Sequence, residues 1–211
     1  LNDIVRSKNI YLGCGGRKAS KDDHLSELVF NTDELKKWHE IYHRYVRLNT
    51  KTSEYIELQY NRLIQPNDTV LGVLCRGTDY VNNKPKNHPV QPNPEEVIDK
   101  VKEYQSRYKC NKIFLATEDQ RIWDKFYCTF GSMLITNEHR LYEYSGNLYL
   151  PELIRNVNTD MYRSGLDYIT TINILARCSF LVAGNCGGSQ AAMYITKGYR
   201  DSYIFNLGLY S

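Results

Sequence analysis

From Asn67 onward the chain alternates short apolar runs with helical patterns, and that alternation admits few folds other than βαβ units building a parallel sheet. The first run sets the theme. Val70-Leu71-Gly72-Val73-Leu74-Cys75 is β-branched in part and passes directly into the polar turn Arg76-Gly77-Thr78-Asp79-Tyr80. Open α/β sheets place their ligands at the carboxyl ends of such strands. This end delivers a guanidinium and a carboxylate, so it predicts a site for an anionic substrate with chemistry beside it.

The following elements keep the same order. Residues 81–91, rich in Asn, Lys and Pro, read as a loop. A helix then starts where Asn93 can cap, Pro94 suits the first position and Glu96 can complete a capping box, with Val97, Ile98, Val101, Tyr104 and Tyr108 on its core face. Residues 112–117 form the second strand, running into Glu118-Asp119, and a short helix begins over 121–126. Residues 133–136 would be the third strand, and 137–159 a substrate-side loop of weak periodicity. Residues 160–177 give the longest helical pattern, which feeds the strand 180–183, the turn Gly184-Asn185-Cys186-Gly187-Gly188-Ser189, a helix over 190–196 and a closing strand over 203–206.

The first 65 residues differ. A strand candidate at 10–12 precedes two helices, 33–45 with Leu35, Trp38, Ile41 and Tyr42 on one face, and 53–64 with Tyr55, Ile56, Leu58 and Leu63. We read 1–65 as an N-terminal helical segment packing on the main sheet. Residues 66–211 are the Rossmann-like domain. The 211 residues suffice for one domain, or for one domain and part of another. Beginning at Leu1 rather than Met, the chain is expected to lack a preceding leader or region.

Charge and cysteine usage exclude several classes. A net charge of +3, dispersed along the chain, does not argue for nucleic acid or a membrane surface. Six cysteines show neither a C-x-x-C pair nor metal-ligand spacing, and Cys75, Cys178 and Cys186 lie in or beside apolar segments, so reduced, structural thiols are expected. No apolar run reaches transmembrane length and no signal peptide is visible, which predicts a cytoplasmic protein, with peripheral membrane attachment left open. Eighteen tyrosines offer apolar faces with polar tips, suited to sugars and nucleotides, although a biased genome would produce the same excess.

The candidate residues gather at the strand ends. Strand, glycine-rich turn and helix follow one another at 180–196, where glycines let the backbone approach a phosphate and the free amides of the helix start, capped by Ser189, point at it. A tight structural turn is the alternative. Arg76 is its natural partner across one pyrophosphate, or else a surface arginine paired with Asp79. Glu118 and Asp119 can hold ribose or sugar hydroxyls, or one of them can cap the next helix. Asp167 and Thr171, one helical turn apart, either read a base edge or occupy an exposed face. His88 and His139 are loop histidines of the type used as acids and bases. Gly13-Cys14-Gly15-Gly16 follows a short strand but opens no apolar helix and completes no G-x-G-x-x-G.

Together these runs resemble a known superfamily. Leu71 to Tyr80 is similar to the first signature of the α-1,2, α-1,6 and protein O-fucosyltransferases, Phe114 to Asp119 to their second, and Ala176 to Ala192 to their third, in the expected order. Two positions depart from the pattern: Leu74 stands where the family has a histidine, and Gly77 where it has a second arginine. The resemblance implies an inverting, metal-independent glycosyltransferase of the GT-B type, whose Rossmann-like lobe binds GDP-fucose. It implies that Arg76, with Gly77 and Thr78 beside it, meets the diphosphate, and that the Gly187, Gly188, Ser189 and Gln190 region holds the β-phosphate. Glu118 or Asp119 would face the nucleotide or sugar, and Asp167 or Thr171 would lie near the base. Asp79 is the candidate base, and a saccharide hydroxyl the acceptor. No cofactor beyond the donor is expected, and no nucleic acid. The readings kept beside this one are a truncated or non-catalytic nucleotide- or glycan-binding module, and a transferase of another nucleotide sugar.

Overall fold

The computed structural model describes residues 30–137, 141–142 and 160–211. The expected strand at 10–12, the glycine run at 13–16, His139 and most of the loop at 137–159 lie outside the described residues.

Five parallel strands form the centre: β1 (Val70–Leu74), β2 (Lys112–Ala116), β3 (Leu134–Ile135), β4 (Phe180–Gly184) and β5 (Asp201–Phe205), ordered β3-β2-β1-β4-β5. β1 lies between β2 and β4, with Leu74 in register with Ala116 on one side and Ala183 on the other. β1 and β4 are buried along their whole length, which is why they read as continuous apolar runs rather than alternating ones.

The parity of each strand separates two cores. Leu71, Val73, Ile113, Leu115 and Val182 face α4 (Pro94–Tyr108) and α5 (Gln120–Phe130) through Val97, Val101, Ile122 and Phe126. Val70, Leu74, Phe114, Leu181 and Ala183 face α6 (Met161–Leu175) and α7 (Gly187–Ile195) through Ile172, Leu175 and Ala192. Gly72 belongs to the second face. A Cβ there would stand 2.8 Å from Leu175 Cδ1 and 3.1 Å from Cys178 Sγ, so glycine lets the end of α6 lie directly on the strand. Helices on both faces of a sheet whose strand order reverses at β1 and β4 place a crevice above the carboxyl ends of those two strands.

The N-terminal helices, α1 (Thr32–Tyr45) and α2 (Thr50–Leu63), form as the apolar spacing predicts, capped by Asn31 and Asn49. They rest on other helices rather than on the sheet. His39 Nδ1 donates to the Tyr194 carbonyl of α7 at 3.0 Å, and Arg163 of α6 donates to the Tyr55 hydroxyl of α2 at 2.6 Å. Only the end of α2 reaches the sheet, where Ile64 enters the second core.

Other boundaries shift for local reasons. Residues 78–83 are a short helix, α3 (Thr78–Asn83), with Gly77 at its cap position, where the sequence predicts turn and loop. α5 runs on to Phe130 because Ile122, Phe126 and Phe130 recur every four residues on its inner face. α7 begins at Gly187, three residues earlier than predicted, with Cys186 at the cap. Ser189 is therefore the helix's third residue and not its cap. The capping box at the start of α4 forms as read: Glu96 N donates to Asn93 Oδ1 at 2.8 Å and Asn93 N to Glu96 Oε2 at 3.0 Å.

Cys75, Cys110, Cys178 and Cys186 are buried free thiols and Cys128 is an exposed one. Burial pushes the Cys75 and Cys178 thiols far above the ordinary thiol value, so they stay protonated and behave as small apolar groups. Among the described residues, no helix is long and apolar enough to cross a membrane.

Candidate functional site

The crevice has two lips from neighbouring strands. β1 continues through Cys75, whose amide still pairs with Ala116 O at 3.1 Å, into Arg76 and Gly77. β4 continues through Asn185 and Cys186 into the first turn of α7. The two lips touch. A Cβ on Gly188 would lie 2.9 Å from Leu74 Cδ1 and 3.3 Å from both Ile172 Cδ1 and the Tyr168 hydroxyl, so the helix start is seated against the end of β1, two residues before Arg76.

The two glycines of the β4 turn do different work. Gly188 is buried and its missing side chain is explained by Leu74. Gly187 is exposed, a Cβ there meets nothing within 4 Å, and its φ lies outside the left-handed range. Neither packing nor backbone conformation accounts for a glycine at 187. The amides of this first turn have no acceptor within the helix, and they lie at its positive end.

The side chains around these amides are occupied with one another. Ser189 Oγ accepts from Cys186 N at 3.0 Å and donates to Cys186 O at 2.9 Å, which uses the hydroxyl inside the turn. Gln190 Nε2 donates to Asn185 Oδ1 at 3.2 Å. Gln91, from the loop before α4, donates to Asn185 O at 2.7 Å and to Pro89 O at 3.1 Å, tying the β1 loop to the β4 turn from below. A Cβ on Gly184 would stand 2.4 Å from Gln91 Oε1, so this contact is the reason for the glycine. Sequence reasoning passes over Gln91; its one signal is a polar residue beside Pro92 at the start of a helix.

The acids at the end of β2 are engaged with arginines. Glu118 Oε1 lies 3.5 Å from Arg76 Nε, both side chains about one-fifth exposed: 19% and 20%. Arg76 thus pairs with Glu118 across from β1. Asp119 is the N-cap of α5, as one of the two sequence readings has it: its Oδ1 accepts from Arg121 N at 2.9 Å. Its carboxylate also takes Arg121 Nε at 3.1 Å and Nη2 at 2.7 Å, and a Cβ on Gly77 would fall 2.4 Å from Oδ2. The absence of a side chain at 77 is what makes room for this carboxylate. Tyr142 lies alongside, its amide donating to Glu118 O at 2.9 Å.

Asp167 and Thr171 face the interior side of α6. Thr171 Oγ1 stands 3.0 Å from Asn137 Oδ1 and 2.8 Å from Asp167 O, while Asp167 Oδ1 lies 3.1 Å from Arg163 Nε. Asn137 is buried just beyond β3, so these residues form a polar group on the far side of β2 and β1 from the β4 turn and are not an exposed face. His88 is exposed and part of a loop pinned to the C-terminal residues, with Tyr210 N donating to its carbonyl at 2.9 Å. Thr78 and Asp79 open α3, and their side chains lie outside what the structure describes. Among the described residues, no group of three His, Cys, Asp or Glu side chains is placed to hold a metal ion.

Comparison with known proteins adds a fold. No family model and no curated protein matches the chain. Among solved structures, POFUT1 in complex with GDP superposes with a TM-score of 0.52 at 13% identity, over 83% of this chain and 52% of that one. POFUT1 in complex with GDP-fucose gives 0.51 at 13%, over 83% and 50%. NodZ alpha-1,6-fucosyltransferase co-crystallised with GDP gives 0.45 at 15%, over 74% and 44%. The chain spans about half the length of the structures it matches. At these identities the likeness is one of architecture: a fucosyltransferase-like α/β lobe of the GT-B type, as the sequence resemblance implies.

Proposed function

We propose that this chain is the donor-binding lobe of an inverting glycosyltransferase, which moves fucose from GDP-fucose to a saccharide hydroxyl without requiring a metal. The observation that supports the reading is the seating of Gly188 against Leu74, two residues before Arg76 in the strand, at the strand-order reversal. A nucleoside diphosphate suits that place: its charge meets a guanidinium on one side and oriented amides on the other. The fold's likeness to POFUT1 in complex with GDP agrees with it.

In this reading the acceptor oxygen attacks the anomeric carbon from the face opposite the diphosphate. The bond from that carbon to the phosphate oxygen breaks, and its electron pair stays on the departing GDP. Arg76 and the Gly187 and Gly188 amides stabilise the charge that grows there, which is the contribution that lowers the barrier. The acceptor's proton needs a base, and Asp79 at the start of α3 is our assignment. The polar group of Asp167, Thr171 and Asn137 is the place for the base of the nucleotide, and Gln190 supports the turn from behind.

Thermal shift against GDP, UDP and CMP sugars tests the donor. A ligand at a hundred times its Kd raises the stability of the folded state by about 2.7 kcal/mol. GDP and GDP-fucose should give the largest shift, and no shift with any nucleoside diphosphate would overturn the reading. Release of GDP from GDP-fucose with mixed oligosaccharides tests transfer. Binding without release would leave a nucleotide-binding module in its place.

A further inference from the structure

The acids at the end of β2 hold two arginines, and one of these has no role in the reading above. Asp119 is 1% exposed, yet Arg121, which it grips with both carboxylate oxygens, has a side chain 59% exposed. The pairing uses Nε and Nη2, one edge of the guanidinium, and leaves the other edge to solvent. Its place is also defined. Asp119 Oδ2 touches the position where a side chain at 77 would begin, and the same oxygen receives Arg121 Nη2 at 2.7 Å. These two contacts in series put a guanidinium beside the residue that follows Arg76.

The location is costly for a cation. Arg121 is in the first turn of α5, at the positive end of that helix, where an acidic residue is favoured. Burial of Asp119 calls for a counter-charge, but a partner that only neutralised it would gain from being buried with it. Without Arg121, Asp119 would turn bare negative charge toward an anion arriving at Arg76.

We propose that Arg121 is a second cation of the diphosphate site, presented to the ligand by Asp119 as a positioning residue. The inference rests on the diphosphate reading given above. Arg76, steadied by Glu118, and Arg121, steadied by Asp119, then flank the side-chain-free residue 77, and a diphosphate enters between them and the β4 turn.

Calorimetry with inorganic pyrophosphate tests this on the full chain, using the parent and the charge-balanced double variant Asp119→Asn/Arg121→Gln, in which Asn keeps the shape and the capping oxygen of Asp119 and Gln removes the guanidinium. Loss of one charge-assisted contact predicts binding weaker by about tenfold. Pyrophosphate binding at parental strength in the folded double variant would refute the role. A measurement on the parent alone needs no variant to fold: arginine labelling by phenylglyoxal, read by mass spectrometry with and without pyrophosphate. Protection of both Arg76 and Arg121 is expected. Protection of Arg76 without Arg121 overturns the second cation and leaves the donor site standing, and protection of neither overturns both.

Discussion

The two ends of the sheet are built on opposite plans. At the amino end, polar groups close on each other: Lys112 Nζ lies 2.8 Å from Asp68 Oδ2 and donates to Leu63 O at 2.7 Å, and Asn111 donates to Asp68 Oδ1 at 3.0 Å. Tyr108 likewise donates to Asp201 Oδ2 at 2.5 Å. At the carboxyl end, Arg76 sits at 3.5 Å from its carboxylate, Arg121 turns one edge to water, and Gly187 faces open space. A closed network contributes to the fold and nothing more. An open one, with the outer edge of the Arg121 guanidinium in solvent and the turn exposed at Gly187, has interactions to give to a ligand. Stability and binding should therefore separate by sheet end, and substitutions can attack that separation.

The largest effect is expected at Arg76. Removing a charge-assisted contact to a diphosphate costs up to about 3 kcal/mol, so Arg76→Ala should weaken GDP about a hundredfold by calorimetry. Loss of the Glu118 pair, which is long and partly exposed, should by itself lower the melting temperature little. A large drop in melting temperature with unchanged GDP affinity would reverse the assignment of the two ends.

The neighbouring glycines sharpen the contrast within one turn. An alanine methyl at 187 meets no protein atom, so Gly187→Ala should melt at or slightly above the parent and still bind GDP about tenfold more weakly, since the methyl stands where a phosphate approaches. Gly188→Ala presses a methyl on Leu74 and should lose stability, about 1 kcal/mol, before anything else. Equal GDP affinity for Gly187→Ala and the parent would make this turn merely structural.

What the sequence could and could not say follows from the physics of each part. The strands were legible because burial on both faces demands continuous apolar runs, and the start of α4 because Asn93, Pro94 and Glu96 each carry a local preference. The start of α7 was hidden, since two glycines and a cysteine cap look like turn, while what holds them as a helix start is the Cys186–Ser189 hydrogen bonding and the packing of Leu74 across from β1. The site was legible as strand ends but not as pairings. Arg76 pairs with Glu118 just beyond the neighbouring strand, a contact set by the β1–β2 register and invisible in sequence spacing. Asp119 with Arg121 did leave a local mark, an acid and an arginine two apart after a strand, which is short enough to be read as a cap and a surface charge.

At the amino end the expectation inverts. Lys112→Met removes the ammonium from Asp68 and from Leu63 O, a partly exposed pair worth about 1 kcal/mol. Melting should fall by that amount while GDP affinity, read by calorimetry, stays at the parental value. A change in affinity would mean that the two sheet ends are coupled, and the comparison would fail on its quieter side.

The smallest effect is a matter of pH. The Tyr108 hydroxyl, together with lesser contacts from Tyr104 and Ser202 N, holds the Asp201 carboxyl below the ordinary aspartate value. A carboxylate whose value is depressed by folding stabilises the protein above the unfolded value, and loses that contribution as pH falls through the folded one. Tyr108→Phe keeps the ring stacked on Phe180, 4.2 Å between centroids, and deletes only the donor. At neutral pH the variant should be less stable by no more than about 1 kcal/mol, because Asp201 is partly exposed. Melting curves of parent and variant should converge as the medium is acidified below the ordinary aspartate range. Curves that stay parallel there would show that the hydroxyl acts through packing and not through the charge of Asp201, and that the amino end is held by shape where we have placed electrostatics.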